Sequence, residues 1–236
     1  MPLPKLVTPT YELRLPSTDQ ILKYRPFLVK EEKILLMAME SEEETQMINA
    51  VTTILKNCIV SKLKVDELSI FDIEYIFLNI RAKSIGEKVD LNITCPDDGT
   101  TVVPIELNVE DIEVQKSDTH NRVISLNDTI SIVMKYPSMD MFIKKNFRGG
   151  AKSEDIFQIA ASCIEQVVEG DEVYETKSFS KKEIDSFMDS LDTNQFLKVQ
   201  EFFETMPKLS HTITVVNPNT KVENEIVLEG LASFFA

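Results

Sequence analysis

The chain has 236 residues, of which 43% are hydrophobic and 27% are charged, and its formal net charge is −14. This apolar content is enough for a packed core and excludes a mainly disordered chain, and the length suits one large domain or two small ones. The acidic balance argues against nucleic acid and against an anionic membrane surface as partners, because both need a basic footprint.

The first third of the chain shows a strand pattern and then helical patterns. Residues 7–15 and 21–28 alternate apolar with polar side chains around turn residues, which predicts a β-hairpin. From Lys30 to Cys58 the apolar residues follow helical spacing, and the acidic run 40–44 predicts a break into two helices. Ser41 is predicted to cap the second of these, with Glu44 closing a capping box. A third helix is predicted over 65–82, capped by Asp66 or Ser69, and its small polar face indicates burial.

Further strands are predicted in the middle of the chain. Residues 85–95 and 101–109 form a second predicted hairpin around an Asp-Gly turn, and 122–135 form a strand pair. The charged segment 110–121 between them is predicted to be a surface loop. Ser138 is a predicted cap for a helix over 139–146.

The stretch Arg148–Lys152 has the composition of a linker and predicts a boundary between a domain at 1–147 and a subdomain at 153–236. Beyond it the sequence predicts three helices and then a C-terminal hairpin. The fold class predicted is therefore α+β, with mixed antiparallel strands and helices in the N-terminal part and a mainly helical C-terminal part ending in a β-hairpin. The predicted helices span 153–168, 180–191 and 193–205, and the hairpin strands span 209–216 and 224–229.

No residue pattern predicts a catalytic, cofactor or metal site. The three cysteines are odd in number and widely spaced, so they predict neither a disulfide framework nor a zinc site, which needs paired ligands at short spacing. A nucleophilic pair of Cys95 or Cys163 with His120 or His211 has no supporting context. Cys58 and Cys163 are predicted to be buried small hydrophobes, and Cys95, beside a turn, to be the most accessible thiol. The neighbouring carboxylates are interpreted as turn residues: Asp97 with Asp98, and Asp189 with Asp192.

The last residues are apolar, and they are the candidate partner-binding residues of the chain: Leu231, Phe234 and Phe235. Terminal residues are usually polar, so these side chains need a surface to cover them. Packing on the chain's own core and docking on a partner both satisfy that need, because aromatic residues are common in interface cores.

Four segments carry a resemblance through their co-occurrence and order: Met1–Leu6, Tyr24–Lys33, Phe71–Leu78 and Arg81–Glu87. Together they resemble a known family, the hub-assembly proteins of T4-like phage baseplates. Members of that family often carry Cys-x-x-Cys where this chain has Cys95-Pro96-Asp97-Asp98, a departure that argues against a bound metal here.

The resemblance implies a late phage protein in the cytoplasm of the infected host cell. It implies a non-enzymatic tail assembly protein that binds baseplate hub subunits and promotes hub assembly, in the manner of a chaperone. A permanent minor subunit of the hub is the alternative, and a cell-wall or protein hydrolase is a further one. The expected partners are other phage baseplate hub proteins, and neither nucleic acid, membrane, cofactor nor small-molecule substrate is expected.

Overall fold

The computed structural model describes residues 6–41, 43–138, 141, 153–230 and 233. The chain divides into two compact units: Met1–Gln115 together with Lys208–Ala236, and Lys116–Pro207. The predicted linker Arg148–Lys152 lies outside the described residues, as does most of the helix predicted over 139–146.

The first unit begins with a hairpin and three helices, as the sequence predicted. Strands β1 and β2 pair antiparallel, and the predicted break in the helical region is confirmed. Ser41 does not cap the second helix, however: it ends the first one, where its hydroxyl donates to the carbonyl of Ala38 at 2.7 Å. The bounds are β1 Tyr11–Arg14, β2 Ile21–Tyr24, α1 Val29–Glu40, α2 Glu44–Cys58 and α3 Ile70–Ile85.

Helix α3 is the buried helix of this unit. Ser69 caps it, accepting a hydrogen bond from the Asp72 amide, and Ile73, Ile76 and Phe77 are all fully buried. A helix that is apolar on most of its faces must be enclosed on most of its faces. The predicted burial of this helix is therefore confirmed.

Two small sheets complete the first unit. Strands β3 and β4 form the predicted hairpin, and the C-terminal hairpin of β10 and β11 gains a third strand, β5. Strand β5 lies in the segment predicted to be a loop, and its three residues pair with the start of β10. The bounds are β3 Lys88–Thr94, β4 Val102–Asn108, β5 Glu113–Gln115, β10 Lys208–Val216 and β11 Glu223–Glu229.

In its described residues, the second unit packs three helices with a four-stranded antiparallel sheet, in which the strand order is β6-β7-β8-β9. Its core contains Ile132, Cys163, Val199 and Phe202, which are at most 2% exposed. The bounds are β6 Val123–Ser125, β7 Ile130–Met134, α4 Ser153–Cys163, β8 Ile164–Glu169, β9 Glu172–Glu175, α5 Lys181–Asp189 and α6 Thr193–Thr205.

The prediction of a mainly helical C-terminal part is wrong. The helix predicted over 153–168 ends at Cys163, and Ile164–Glu169 forms strand β8, which pairs on both sides. Its β-branched residues suit a strand, and Gly170, at φ +58°, allows the tight turn into β9. The C-terminal hairpin, although correctly predicted as an element, belongs to the first unit.

Candidate functional site

A buried ion pair fixes the start of helix α1. The guanidinium of Arg25 contacts the carboxylate of Glu31 at 3.0 Å, and the backbone amide of Leu28 donates to the same carboxylate at 2.9 Å. Glu31 is fully buried. Burial raises the pKa of Glu31, but the hydrogen bonds from Arg25 and Leu28 outweigh it and lower that pKa below its ordinary value. The charged carboxylate thus serves as both the partner of Arg25 and the cap of the helix.

The preceding residues hold this ion pair in place. The Arg25 amide donates to the carbonyl of Cys58 at 2.9 Å, and its guanidinium also donates to the carbonyl of Pro26 at 2.9 Å. Phe27 lies against Phe77 of α3, with ring centroids 5.7 Å apart, and its amide donates to the Ser84 hydroxyl at 2.7 Å. The segment from Arg25 to Glu31 therefore sets the position of α1 against α2 and α3.

The opposite side of α1 carries three exposed apolar side chains, with the exposed Lys33 among them. Leu35 and Ala38 are buried, whereas Val29, Leu36 and Met37 are 80%, 54% and 60% exposed. These three occur at spacing i, i+7 and i+8, which places them along one side of a helix of 12 residues, about 18 Å long. We call Val29, Leu36 and Met37 the outer face of α1. Scattered apolar side chains are common on protein surfaces, but a helical row with exposed methionine suits an adaptable binding surface.

A second polar arrangement joins the tips of two hairpins in the first unit. The carboxylate of Asp97, in the turn between β3 and β4, accepts hydrogen bonds from the side-chain amides of Asn217 and Asn224 at 2.9 and 3.0 Å. It also accepts one from the Thr220 hydroxyl. Hydrogen bonds from Asn217 and Thr220 lower the pKa of Asp97. We call Asp97, Asn217, Thr220 and Asn224 the turn network.

The neighbouring Asp98 stabilises its own turn. Its carboxylate accepts from the hydroxyl and amide of Thr101 and from the amide of Thr100, and these bonds lower its pKa strongly. Both carboxylates are therefore turn residues, as the sequence predicted. The connection of Asp97 to the C-terminal hairpin could not be predicted, because the two segments lie more than a hundred residues apart in sequence.

The cysteines are all buried. This confirms the prediction for Cys58 and Cys163, but the prediction that Cys95 is the most accessible thiol is wrong, because its side chain is fully buried. Burial raises the pKa of the Cys58 thiol to about 11 and also raises that of Cys95. Both thiols are therefore protonated at neutral pH, a state that disfavours nucleophilic attack.

The histidines lie in different surroundings. The ring of His120 bonds the Thr205 hydroxyl through Nδ1 at 3.0 Å and the Tyr136 hydroxyl through Nε2 at 3.1 Å. Burial, with the nearby Arg122, lowers the pKa of His120. The ring of His120 also stacks on Tyr136 and lies against Phe202. These contacts give His120 a packing role within the second unit. His211, in contrast, lies in β10 opposite Leu228.

Across the described residues, no group of three or more histidine, cysteine or acidic side chains is arranged to hold a metal ion. None of the helices described is long and apolar enough to cross a membrane.

The candidate partner-binding residues Leu231, Phe234 and Phe235 lie outside the described residues. The described chain before them ends at Gly230, which follows β11 at φ +73° and donates its amide to the carbonyl of Leu209 at 3.1 Å. The outer face of α1, in contrast, is not among the partner-binding residues that the sequence predicted, although helical spacing alone places its three residues on one side of α1. Residues 29, 36 and 37 fall on the side of the helix opposite Leu35 and Ala38.

Neither a search of curated proteins nor a search of solved structures found a match to this chain. A family model described as T4 bacteriophage base plate protein matches residues 8–236, which is nearly the whole chain and includes both compact units. The resemblance seen in the N-terminal segments is thereby confirmed. The chain belongs to the T4 bacteriophage base plate protein family.

Proposed function

We propose that this protein is a non-enzymatic assembly protein that binds baseplate hub subunits in the host cytoplasm and promotes assembly of the hub. Membership of the baseplate family supports interaction with other baseplate proteins. The observation that carries the proposal is the outer face of α1, three exposed apolar side chains on one side of a helix held in place by a buried ion pair.

The physical case depends on the position of α1. A fully buried Leu or Met side chain contributes about 1.5–3 kcal/mol to an interface, before the cost of ordering the partners. Because Arg25 and Glu31 fix the start of the helix, the outer face is presented in one orientation, and the ordering cost of binding is small. Apolar side chains held in this way are suited to serve as the anchors of an interface.

The test replaces an apolar side chain by a charged one on the outer face. We expect Leu36→Glu and Met37→Glu to leave the melting temperature nearly unchanged, since both side chains are more than half exposed. Co-purification with the hub proteins from infected cells should be lost, and complete baseplates should be absent in electron micrographs.

The matched control is Ile85→Glu. Ile85 is 59% exposed, also lies in a helix of the first unit, and is not on α1. We expect this variant to bind and assemble like the unmodified protein. Full assembly with Leu36→Glu and Met37→Glu would contradict the proposal.

A transient assembly factor and a permanent minor subunit of the hub differ in where the protein ends up. Quantitative mass spectrometry of finished particles, compared with assembly intermediates, distinguishes them. A transient factor is present in the intermediates and absent from the particles, whereas a permanent subunit occurs in both at the same ratio to the other hub proteins.

A further inference from the structure

The second unit contains an apolar cleft that the proposed function does not use. The cleft has a volume of about 340 Å³ and lies between the four-stranded sheet and helix α5. Ile130 and Val167 line it from the sheet, and Ile184 and Phe187 line it from α5. Phe179 also lines it and is 41% exposed, so apolar surface remains in contact with solvent.

The segment that borders the cleft is held by side-chain hydrogen bonds. The hydroxyl of Thr176 donates to the carbonyls of Ile164 and Glu165 at 2.8 and 2.9 Å. Ser180 and Glu183 form a reciprocal capping box at the start of α5. Phe179 lies between these two fixed points. The cleft is therefore formed before any ligand binds, which lowers the cost of binding.

The surroundings of the cleft are acidic. Glu169 and Glu183 line it, and the segment 164–185 contains seven acidic residues and three lysines, a difference of four negative charges. Within the segment Lys177 is paired with Glu175 at 3.2 Å, and Arg122 from outside it is paired with Glu165 at 2.7 Å, which leaves a surplus of three negative charges. A negative rim around an apolar cleft favours a positively charged partner and disfavours an acidic one. A second copy of this chain, with net charge −14, is disfavoured for the same reason.

We propose that this cleft docks a large apolar side chain carried by a basic segment of a partner protein. The volume lies within the range of preformed ligand pockets, about 300–1,000 Å³, and accommodates one such anchor residue. The acidic rim pairs with lysine or arginine on either side of the anchor. This surface is separate from the outer face of α1 and lies in the other compact unit, so it goes beyond the proposed function.

The test measures binding of three fluorescein-labelled twelve-residue peptides to the full-length protein by fluorescence anisotropy. The first has a central Phe-Ile pair flanked by lysines, the second has the same centre flanked by glutamates, and the third has the lysines but a Gly-Ser centre. We expect binding of the first alone, weakened by added salt. Equal binding of the first and second peptides, or of the first and third, would overturn the proposal.

Two variants locate the binding. Phe179→Glu and Glu169→Lys should each raise the dissociation constant of the first peptide about tenfold or more, which is about 1.4 kcal/mol. Leu197→Glu and Glu204→Lys are the matched controls: both residues are exposed, lie on α6 in the same unit and do not line the cleft. They should bind the peptide like the unmodified protein.

Thermal melting shows whether each variant is folded, and Phe179→Ala replaces Phe179→Glu if the latter is destabilised. Unchanged binding in the folded cleft variants would overturn the proposal. So would self-association of the chain that Phe179→Glu abolishes, because the occupant would then be a second copy. These measurements use no hub protein, so their outcome is independent of the test on α1.

Discussion

The two compact units of the chain differ in whether they are formed by one continuous segment or by two segments far apart in sequence. The second is built from one continuous segment, Lys116–Pro207, whereas the first joins Met1–Gln115 to Lys208–Ala236. In the first unit, Leu209 and Leu228 of the last hairpin lie in one apolar cluster with Leu78 of α3 and Val89 of β3. The comparison teaches that two regions with similar elements can have different folding requirements, because only the first depends on contacts between segments far apart in sequence.

Cutting the chain tests this difference most strongly. We expect residues 116–207, expressed alone, to fold with a cooperative thermal transition, because their core is complete within that segment. Residues 1–115 alone should not fold, since they lack the strands that cover α3 and pair with β5. Circular dichroism and amide proton dispersion in NMR spectra measure both outcomes. A cooperatively folded 1–115 fragment would contradict the importance of the last hairpin.

A single side chain should show the same dependence. Leu209→Ala removes a fully buried side chain from the contact between the two segments of the first unit, and we expect a loss of about 2–5 kcal/mol in the free energy of unfolding. Val227→Ala in the same sheet is the control, because Val227 is 59% exposed and should change stability little. Urea unfolding measures both, and a loss for Leu209→Ala as small as that for Val227→Ala would contradict this dependence.

The buried ion pair of α1 should have the next largest effect. Glu31→Gln leaves Arg25 without its charged partner, and we expect a loss of about 2 kcal/mol at neutral pH. Glu32→Gln, at the exposed neighbouring position, is the control and should be nearly neutral. The folded pKa of Glu31 is lowered, so its stabilisation is present above the ordinary pKa of a glutamate and is lost as the pH falls. The difference between the two variants should therefore shrink in acid, as followed by unfolding at several pH values.

A substitution in the turn network should also lower stability, but by less than Glu31→Gln does. Asp97→Asn replaces a carboxylate that accepts hydrogen bonds from three side chains, and we expect the melting temperature to fall by a few degrees at neutral pH. Because the folded pKa of Asp97 is lowered, this stabilisation is also lost as the pH falls below the ordinary range of an aspartate. Glu106→Gln, at an exposed position of β4, is the control. A difference that grows in acid would contradict the assignment of a charged Asp97 to the network.

The smallest effect on stability is expected at the C-terminus. If Leu231, Phe234 and Phe235 form an anchor for a partner, deletion of residues 231–236 should leave the melting temperature nearly unchanged but abolish co-purification with hub proteins. If they pack on the first unit, the deletion should lower the melting temperature by several degrees. A truncated protein that is markedly destabilised and still binds its partners would exclude the anchor.

Local patterns predicted most of the elements of this chain. The sequence close to each element predicted the cap at Ser69, the hairpin around Cys95–Thr100 and the C-terminal hairpin. Local sequence patterns do not show which of those elements contact one another in the fold. Strand β5 has only three residues and exists because β10 offers it an edge, and Asp97 bonds residues that follow it by more than a hundred positions.

The main error in the second unit has a different cause. The apolar residues of α4 continue directly into β8, so hydrophobicity alone extends the helix beyond Cys163. The change of period, the β-branched residues and the turn at Gly170 were the signals that mark the strand. The cleft beside α5 could not be predicted, because it depends on how the sheet and that helix pack.

The closure of the first unit by β10 and β11 also has a consequence for synthesis. Domains usually fold in the order in which they leave the ribosome, N-terminal first. Here the segment 116–207 emerges with its core complete, while residues 1–115 wait for a hairpin that is translated afterwards. During that interval the apolar residues that α3 buries against the last hairpin remain uncovered, and exposed apolar surface of this kind makes a nascent chain prone to aggregation. The first unit therefore begins to be synthesised before the second unit but completes its fold after it.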